Sequence, residues 1–171
     1  RVTQYGASVS ADGRTLSDDP YTRTTAQAGV ELTGPSFARV FDVKLGRFTR
    51  LKHVIEPRAD YQYQTDPGDL SRTPVFDEVD TILPSHAVRY ALVQRLLGKE
   101  KSGVSREVAS LEVSRSHYLE LPVGVPESGR DSPLDAVLRV NAGSALNFDA
   151  RAAWDLAAGV VTSTSVSANI G

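Results

Sequence analysis

The sequence predicts an all-β chain: an antiparallel transmembrane β-barrel segment of about eight long meander strands. Three observations predict it. Apolar and polar residues alternate over stretches longer than ordinary strands. The connections between those stretches alternate between long and short. No apolar run approaches the roughly 18 residues that a membrane helix needs.

The central stretch, 49–64 (TRLKHVIEPRADYQYQ), sets the pattern. One parity holds Leu51, His53, Ile55, Pro57, Ala59, Tyr61 and Tyr63, and the other holds Lys52, Val54, Glu56, Arg58, Asp60, Gln62 and Gln64. Only a period of two sorts residues this way. Ordinary strands run to about 5–6 residues, and a tilted strand crossing a bilayer needs about 9–11. A polar face this dense is costly beneath a packed core but suits a wet lumen, with the apolar face against lipid. Ile55, Ala59, Tyr61 and Tyr63 are therefore expected to face lipid, and Glu56, Arg58, Asp60 and Gln62 the lumen. The charges on that face also suit a plain cross-strand ladder that keeps the lumen hydrated.

The other elements follow in order. Residues 1–8 read as the end of a strand, and 9–20 as a polar loop with Asp12-Gly13 and Asp18-Asp19-Pro20 as turn chemistry. Alternation returns over 21–41, with Thr24, Ala26, Ala28, Val30 and Leu32 against Thr25, Gln27, Gly29, Glu31 and Thr33. Gly34-Pro35 interrupts it, and a bulge or bend is expected there. Residues 43–48 form a short turn. Residues 65–83 are the longest connection, a loop containing Phe76, Asp77 and Asp80. Carboxylates at Asp77, Glu78 and Asp80 could share a cation, but the spacing is not that of an EF-hand loop. A loop folded back on the wall and anchored by Phe76 is the favoured reading.

Residues 86–97 align either as a strand (Val88, Tyr90 and Leu92 against Arg89, Ala91 and Arg95) or as a helix (Val88, Leu92, Leu96). The neighbouring strands favour a strand, which places Arg89 in the lumen. Residues 98–103 read as a turn. Over 105–121, Ala109, Leu111 and Val113 oppose Ser110, Glu112, Ser114 and Ser116, so Leu111 joins the lipid side and Glu112 the lumen side. A loop rich in proline, glycine and charge spans 122–133, and a strand spans 134–142. Gly143-Ser144 is a hairpin signal. Phe148, Ala150, Ala152 and Trp154 then oppose Asn147, Asp149, Arg151 and Asp155, which puts Trp154 against lipid. The connection at 156–159 is undecided, and 161–170 alternates once more. Tyr61, Tyr63, Tyr90, Phe148 and Trp154 sit near strand ends on or close to the apolar parity, as girdle residues do; Tyr118 falls on the polar parity.

Composition excludes several classes. A length of 171 residues suits one domain or a piece of a larger one. A net charge of -2 gives no sign of a nucleic-acid binder. Cysteine is absent, so there is no disulfide, thiolate site or cysteine nucleophile. His53, His86 and His117 stand in no metal-ligand spacing, and no serine sits in a glycine-framed nucleophile elbow. No catalytic residue, metal or cofactor is expected. The sequence starts in mid-strand and ends Ala168-Asn169-Ile170-Gly171, without the terminal aromatic of complete bacterial barrels. It reads as an interior segment of a larger barrel, with no periplasmic domain of its own.

A resemblance sharpens this. His53-Val54-Ile55-Glu56-Pro57-Arg58, Tyr61-x-Tyr63, Pro74-x-Phe76-Asp77-x-x-Asp80 and Arg89-Tyr90-Ala91-Leu92 resemble, in order and spacing, the central barrel region of the LPS-assembly outer-membrane protein, the LptD (organic solvent tolerance) family. The resemblance is best over 41–121. Gln94-Arg95 stands where the family often has Asn-Arg, and His117 stands where a glutamine often precedes the tyrosine. The resemblance implies a large barrel in the outer membrane of a Gram-negative bacterium, with a plug lipoprotein in its lumen. It implies periplasmic LPS-bridge components, reached through a domain missing here, and transfer of lipopolysaccharide to the outer leaflet. The expected partners are lipopolysaccharide, that plug, the bridge and membrane lipid. The alternatives are a passive outer-membrane pore or small structural eight-stranded barrel, an enzyme on a barrel, and a soluble all-β binding module.

Overall fold

A computed structural model describes residues 2–9, 15–65, 85–121, 125–141 and 146–170. The described chain is all-β, with a single 3₁₀ turn at Glu127–Gly129. The strands are β1 (Val2–Tyr5), β2 (Ser8–Val9), β3 (Leu16–Ser17), β4 (Tyr21–Thr24), β5 (Gln27–Thr33) and β6 (Phe37–Leu45), then β7 (Phe48–Gln64), β8 (Ser85–Glu100) and β9 (Ser105–Glu120), and last β10 (Leu134–Asn141), β11 (Leu146–Asp155) and β12 (Val160–Ile170).

An eight-stranded sheet holds the order β12-β11-β10-β9-β8-β7-β5, with β6 also paired to β7. The pairs whose register is described are all antiparallel. From β7 onward each strand lies beside the next in sequence, which is the predicted meander. Among the described residues the sheet is open: β12 has a partner on one side only, and nothing pairs it to β5 or β6. The stretch 86–97 is strand, not helix. β7, β8 and β9 run to 17, 16 and 16 residues, well beyond ordinary strand length.

The chain falls into two compact units. The first comprises Arg1–Val30, Tyr61–Ala87 and Tyr118–Arg130; the second comprises Glu31–Asp60, Val88–His117 and Asp131–Gly171. In the first, β1 pairs with β4 from Val2↔Thr24 to Tyr5↔Tyr21, and β2 pairs with β3. The expected loop over 9–20 is therefore partly the end of a hairpin, with Leu16 and Ser17 folded back on Val9 and Ser8. Tyr5, Ser8 and Arg23 are buried there. Thr65 closes against Ala26: each backbone N–H donates to the other residue, one to a carbonyl and one to the threonine hydroxyl, both at 2.9 Å.

In the second unit β10, β11 and β12 pair in strict alternation. Leu134, Ala136, Leu138 and Val140 face Trp154, Ala152, Ala150 and Phe148. The same β10 residues from Ala136 face Val113, Leu111 and Ala109 on β9. Over these paired residues of β9, β10 and β11 one side is thus continuously apolar. A bulge at Ala153/Trp154 leaves Thr162 as the extra residue, so Trp154 opposes Val161 rather than Thr162; the Thr162 hydroxyl donates to the Ala153 carbonyl at 3.1 Å.

The predicted break at Gly34-Pro35 is real: β5 ends at Thr33 and β6 starts at Phe37. Its partner is Pro57 of β7. The Gly34 N–H donates to the Pro57 carbonyl at 2.8 Å, and a Cβ on Gly34 would lie 2.8 Å from Pro57 Cγ. Pro57 cannot feed the ladder, and glycine at 34 provides the close approach to it.

Two turn expectations move. The 43–48 turn is confined to Gly46 and Arg47, with Gly46 at φ 55, and β6 runs on to Leu45. The 98–103 turn is confined to residues after Glu100, because Gly98 belongs to β8. It packs so closely on the Phe48 ring and Val108 that a Cβ would come within 2.6 Å of that ring. Glycine there is a packing device, not a turn signal. The expected hairpin signal Gly143-Ser144 lies outside the described residues.

Candidate functional site: the polar face of the sheet

The second unit carries a charged face. Along β7, Glu56 and Arg58 share a side two residues apart, and their charged atoms meet at 2.6 Å. The Ser36 hydroxyl adds a hydrogen bond to the other Glu56 oxygen at 3.2 Å. Arg95 of β8 approaches Glu56 at 3.9 Å. Arg89 of β8 lies between Asp60 of β7, at 3.4 Å, and Glu112 of β9, and donates to the Ser114 hydroxyl at 3.0 Å. One guanidinium thus ties three adjacent strands through its forked donors. Arg139 and Asp149, direct register partners on β10 and β11, are 3.5 Å apart. Asp135, Val137 and Arg139 align with Ser114, Glu112 and Ser110 of β9, and the face continues through Arg151 to Ser165 of β12.

Of the expected lumen residues, the structure therefore brings together Glu56, Arg58, Asp60, Arg89 and Glu112. Gln62, in the first unit, is exposed and joins none of the described side-chain contacts. Each pair here contributes little alone, since half-exposed ion pairs are worth about 0–1 kcal/mol. Their number and cross-strand placement fix register more than they add stability.

The expected lipid-side residues lie on the opposite parity. Ile55 opposes Phe37, Leu111 opposes Leu138, and Trp154 opposes Leu134. In the first unit the Tyr61 hydroxyl meets His86 Nε2 at 2.9 Å, and the His86 ring stands edge-on to Tyr61 and to Tyr63, with centroids 5.6 and 5.4 Å away. Ala59 is half-buried. Phe76, Asp77 and Asp80 lie outside the described residues.

Several large apolar side chains are more exposed than two carboxylates of β7. Tyr61, Tyr90 and Trp154 are 37%, 45% and 48% exposed, and Val166 is 68% exposed. The Glu56 and Asp60 side chains keep only 15% and 22%. Of the buried residues of β8 and β9, Ala87, Ala91, Val93 and Ser114 share the parity of Arg89 or Glu112, and Gly98, under the Phe48 ring, does not.

The structure gives further polar-parity residues their neighbours. Arg95, Arg139 and Arg151 stand on the polar parity already in the sequence, and register adds what lies beside them: Glu56 by Arg95, Asp149 by Arg139, and Val137 and Ser165 by Arg151. On the apolar parity His53 Nε2 and Gln94 Oε1 lie 3.2 Å apart, and Arg39, the register partner of His53, stacks over Phe41 at 5.1 Å. Farther up that parity, the Asp131 carboxylate meets His117 at 2.7 Å and Arg115 at 3.5 Å. No group of three or more metal-ligating side chains occurs among the described residues. No helix among them is long and apolar enough to cross a membrane, which says nothing of a β-barrel. Compared with family models and with curated proteins, the chain matches none.

Proposed function

We propose that this chain is part of the wall of an outer-membrane β-barrel that inserts lipopolysaccharide into the outer leaflet, acting by geometry and without covalent chemistry. The observation that carries the membrane half is that large apolar side chains such as Trp154 and Val166 stand exposed while the Glu56 and Asp60 carboxylates, on the polar parity, are the more enclosed. Hydrocarbon accepts the first group and a wet lumen the second. In water the pattern would expose the wrong side. The lipopolysaccharide half rests on the resemblance of the 53–92 motif run to the LptD family, whose barrel would also supply the plug lipoprotein and the periplasmic bridge as partners.

Strand lengths favour the same reading. β7, β8 and β9 exceed the roughly 9–11 residues of a tilted crossing, which leaves their ends to stand in the headgroup region. The Tyr61–His86–Tyr63 cluster at one such end suits that zone, where amphipathic rings settle.

The test is depletion of the full-length protein in its native cells. Lipopolysaccharide at the cell surface should fall and accumulate behind the outer membrane. Unchanged surface lipopolysaccharide would refute the transport role. A second reading, a passive outer-membrane pore or small structural barrel, is favoured by the same pattern of exposure. It predicts altered solute permeability on depletion with lipopolysaccharide delivery intact.

A further inference from the structure

We propose that Arg95, Arg139 and Arg151 form an anion site for a phosphate group, free or carried on a lipid headgroup, in the basin they line on the polar face. The basin holds about 500 Å³. Its floor is short, with Ser110 and Val137 between the long cations, which is why a hollow exists at all.

Charge accounting singles out the three. Arg58 also lines the basin but is held by Glu56 at 2.6 Å. Glu112 lines it but is held by Arg89. Arg139 shares Asp149 at 3.5 Å, with side chains 57% and 48% exposed, so it is free to turn. The carboxylate described beside Arg95 is Glu56, 3.9 Å away and already engaged with Arg58. Arg151 opposes Val137 on one side and Ser165 on the other, and no carboxylate partner is described for it. Against this cationic surplus the basin offers the single further carboxylate of Glu107. A second hollow adjoins Arg151 on its β12 side, where Ser163 and Ser165 line it; Asp135 and the Arg89–Glu112 pair also line it.

The geometry points to phosphate rather than carboxylate. The guanidiniums come from three strands, β8, β10 and β11. A planar carboxylate is filled by one fork, whereas a tetrahedral phosphate accepts forks from several directions. Neighbouring serine hydroxyls can complete its remaining oxygens. The inference rests on the reading of this face as wetted.

The test uses the full-length protein in detergent, titrated by calorimetry with inorganic phosphate and with short-chain phosphatidic acid. Arg151→Gln and Arg95→Gln should each weaken binding about tenfold, the loss of one charge-assisted contact. Arg50→Gln, paired with Asp42 away from the basin, should leave it unchanged. Arg151→Lys, which keeps the charge but loses the fork, should fall between. Tighter binding of phosphatidic acid than of inorganic phosphate identifies a lipid headgroup as the source, and the reverse a free anion. Equal affinity in the parent and Arg151→Gln overturns the site, as does capture of an acidic peptide that phosphate does not displace. Phosphate binding lost in Arg151→Gln, by a protein that folds in plain buffer and ignores lipid vesicles, keeps the site and overturns the membrane reading.

Discussion

Glu56 and Tyr61 are five positions apart on one strand, yet opposite substitutions at them should differ sharply. Ala59→Arg, on the apolar parity, should cost about 2–4 kcal/mol if it sits near the bilayer midplane, and Tyr61→Asp should act in the same direction. Glu56→Gln should be far milder, because Arg58 keeps a hydrogen-bond acceptor. Assembly scored by outer-membrane yield checks this; equal defects on the two faces refute the face assignment. Gly34→Ala is a second case at this scale. Its Cβ would press on the Pro57 ring at 2.8 Å, where no flexible tip can swing away, so a loss of about 1–3 kcal/mol is expected in detergent unfolding. The parity of these residues was legible in the sequence, since a strand's period is two. Their partners were not. That Arg89 joins Asp60 to Glu112 depends on register between three strands, and register is a property of the sheet.

At the scale of elements, the sequence located the strands better than their ends. Glycine misled once. Gly98 reads as a turn but lies within β8 because Phe48 and Val108 leave no room for a side chain. The 156–159 connection, which the sequence leaves undecided, is the tight β11–β12 turn, closed by Gly159 at φ 68. There the Asp155 carboxylate accepts from the N–H groups of Ala157 and Ala158 at 2.9 and 3.0 Å, and the Gly159 N–H donates to the Asp155 carbonyl at 2.8 Å. This is an Asx-type turn. Asp155→Ala should remove about 1 kcal/mol and speed amide exchange in the adjoining ends of β11 and β12 while leaving β7–β9 protected. Uniform exchange across the sheet would show that the turn does not act locally. The Gly34-Pro35 break was legible because proline's missing donor is a local fact; its match with Pro57 was not, because it needed the pairing of β5 and β6 with β7.

For the whole molecule, the expectation is a protein whose folded form survives detergent. Unheated full-length protein should migrate faster on a denaturing gel than boiled protein, as a compact sheet resists unfolding by detergent alone. Identical migration before and after boiling, with solubility in plain buffer, would favour a soluble all-β module instead. The all-β class and the meander were legible because long alternation and uneven connections survive any uncertainty in boundaries. Sheet closure was not legible, because it depends on the partners of the outermost strands.

Those outermost strands carry a consequence for how the protein reaches its place. β12 pairs on one flank, and β6 pairs on one flank with β7. Every backbone amide or carbonyl left bare in hydrocarbon costs several kcal/mol, and a row of them along either rim is prohibitive. On the membrane reading proposed above, the rims would have to be zipped, to each other or to further strands, before or while the sheet met oil, and the wall would enter the bilayer as a finished hoop or not at all.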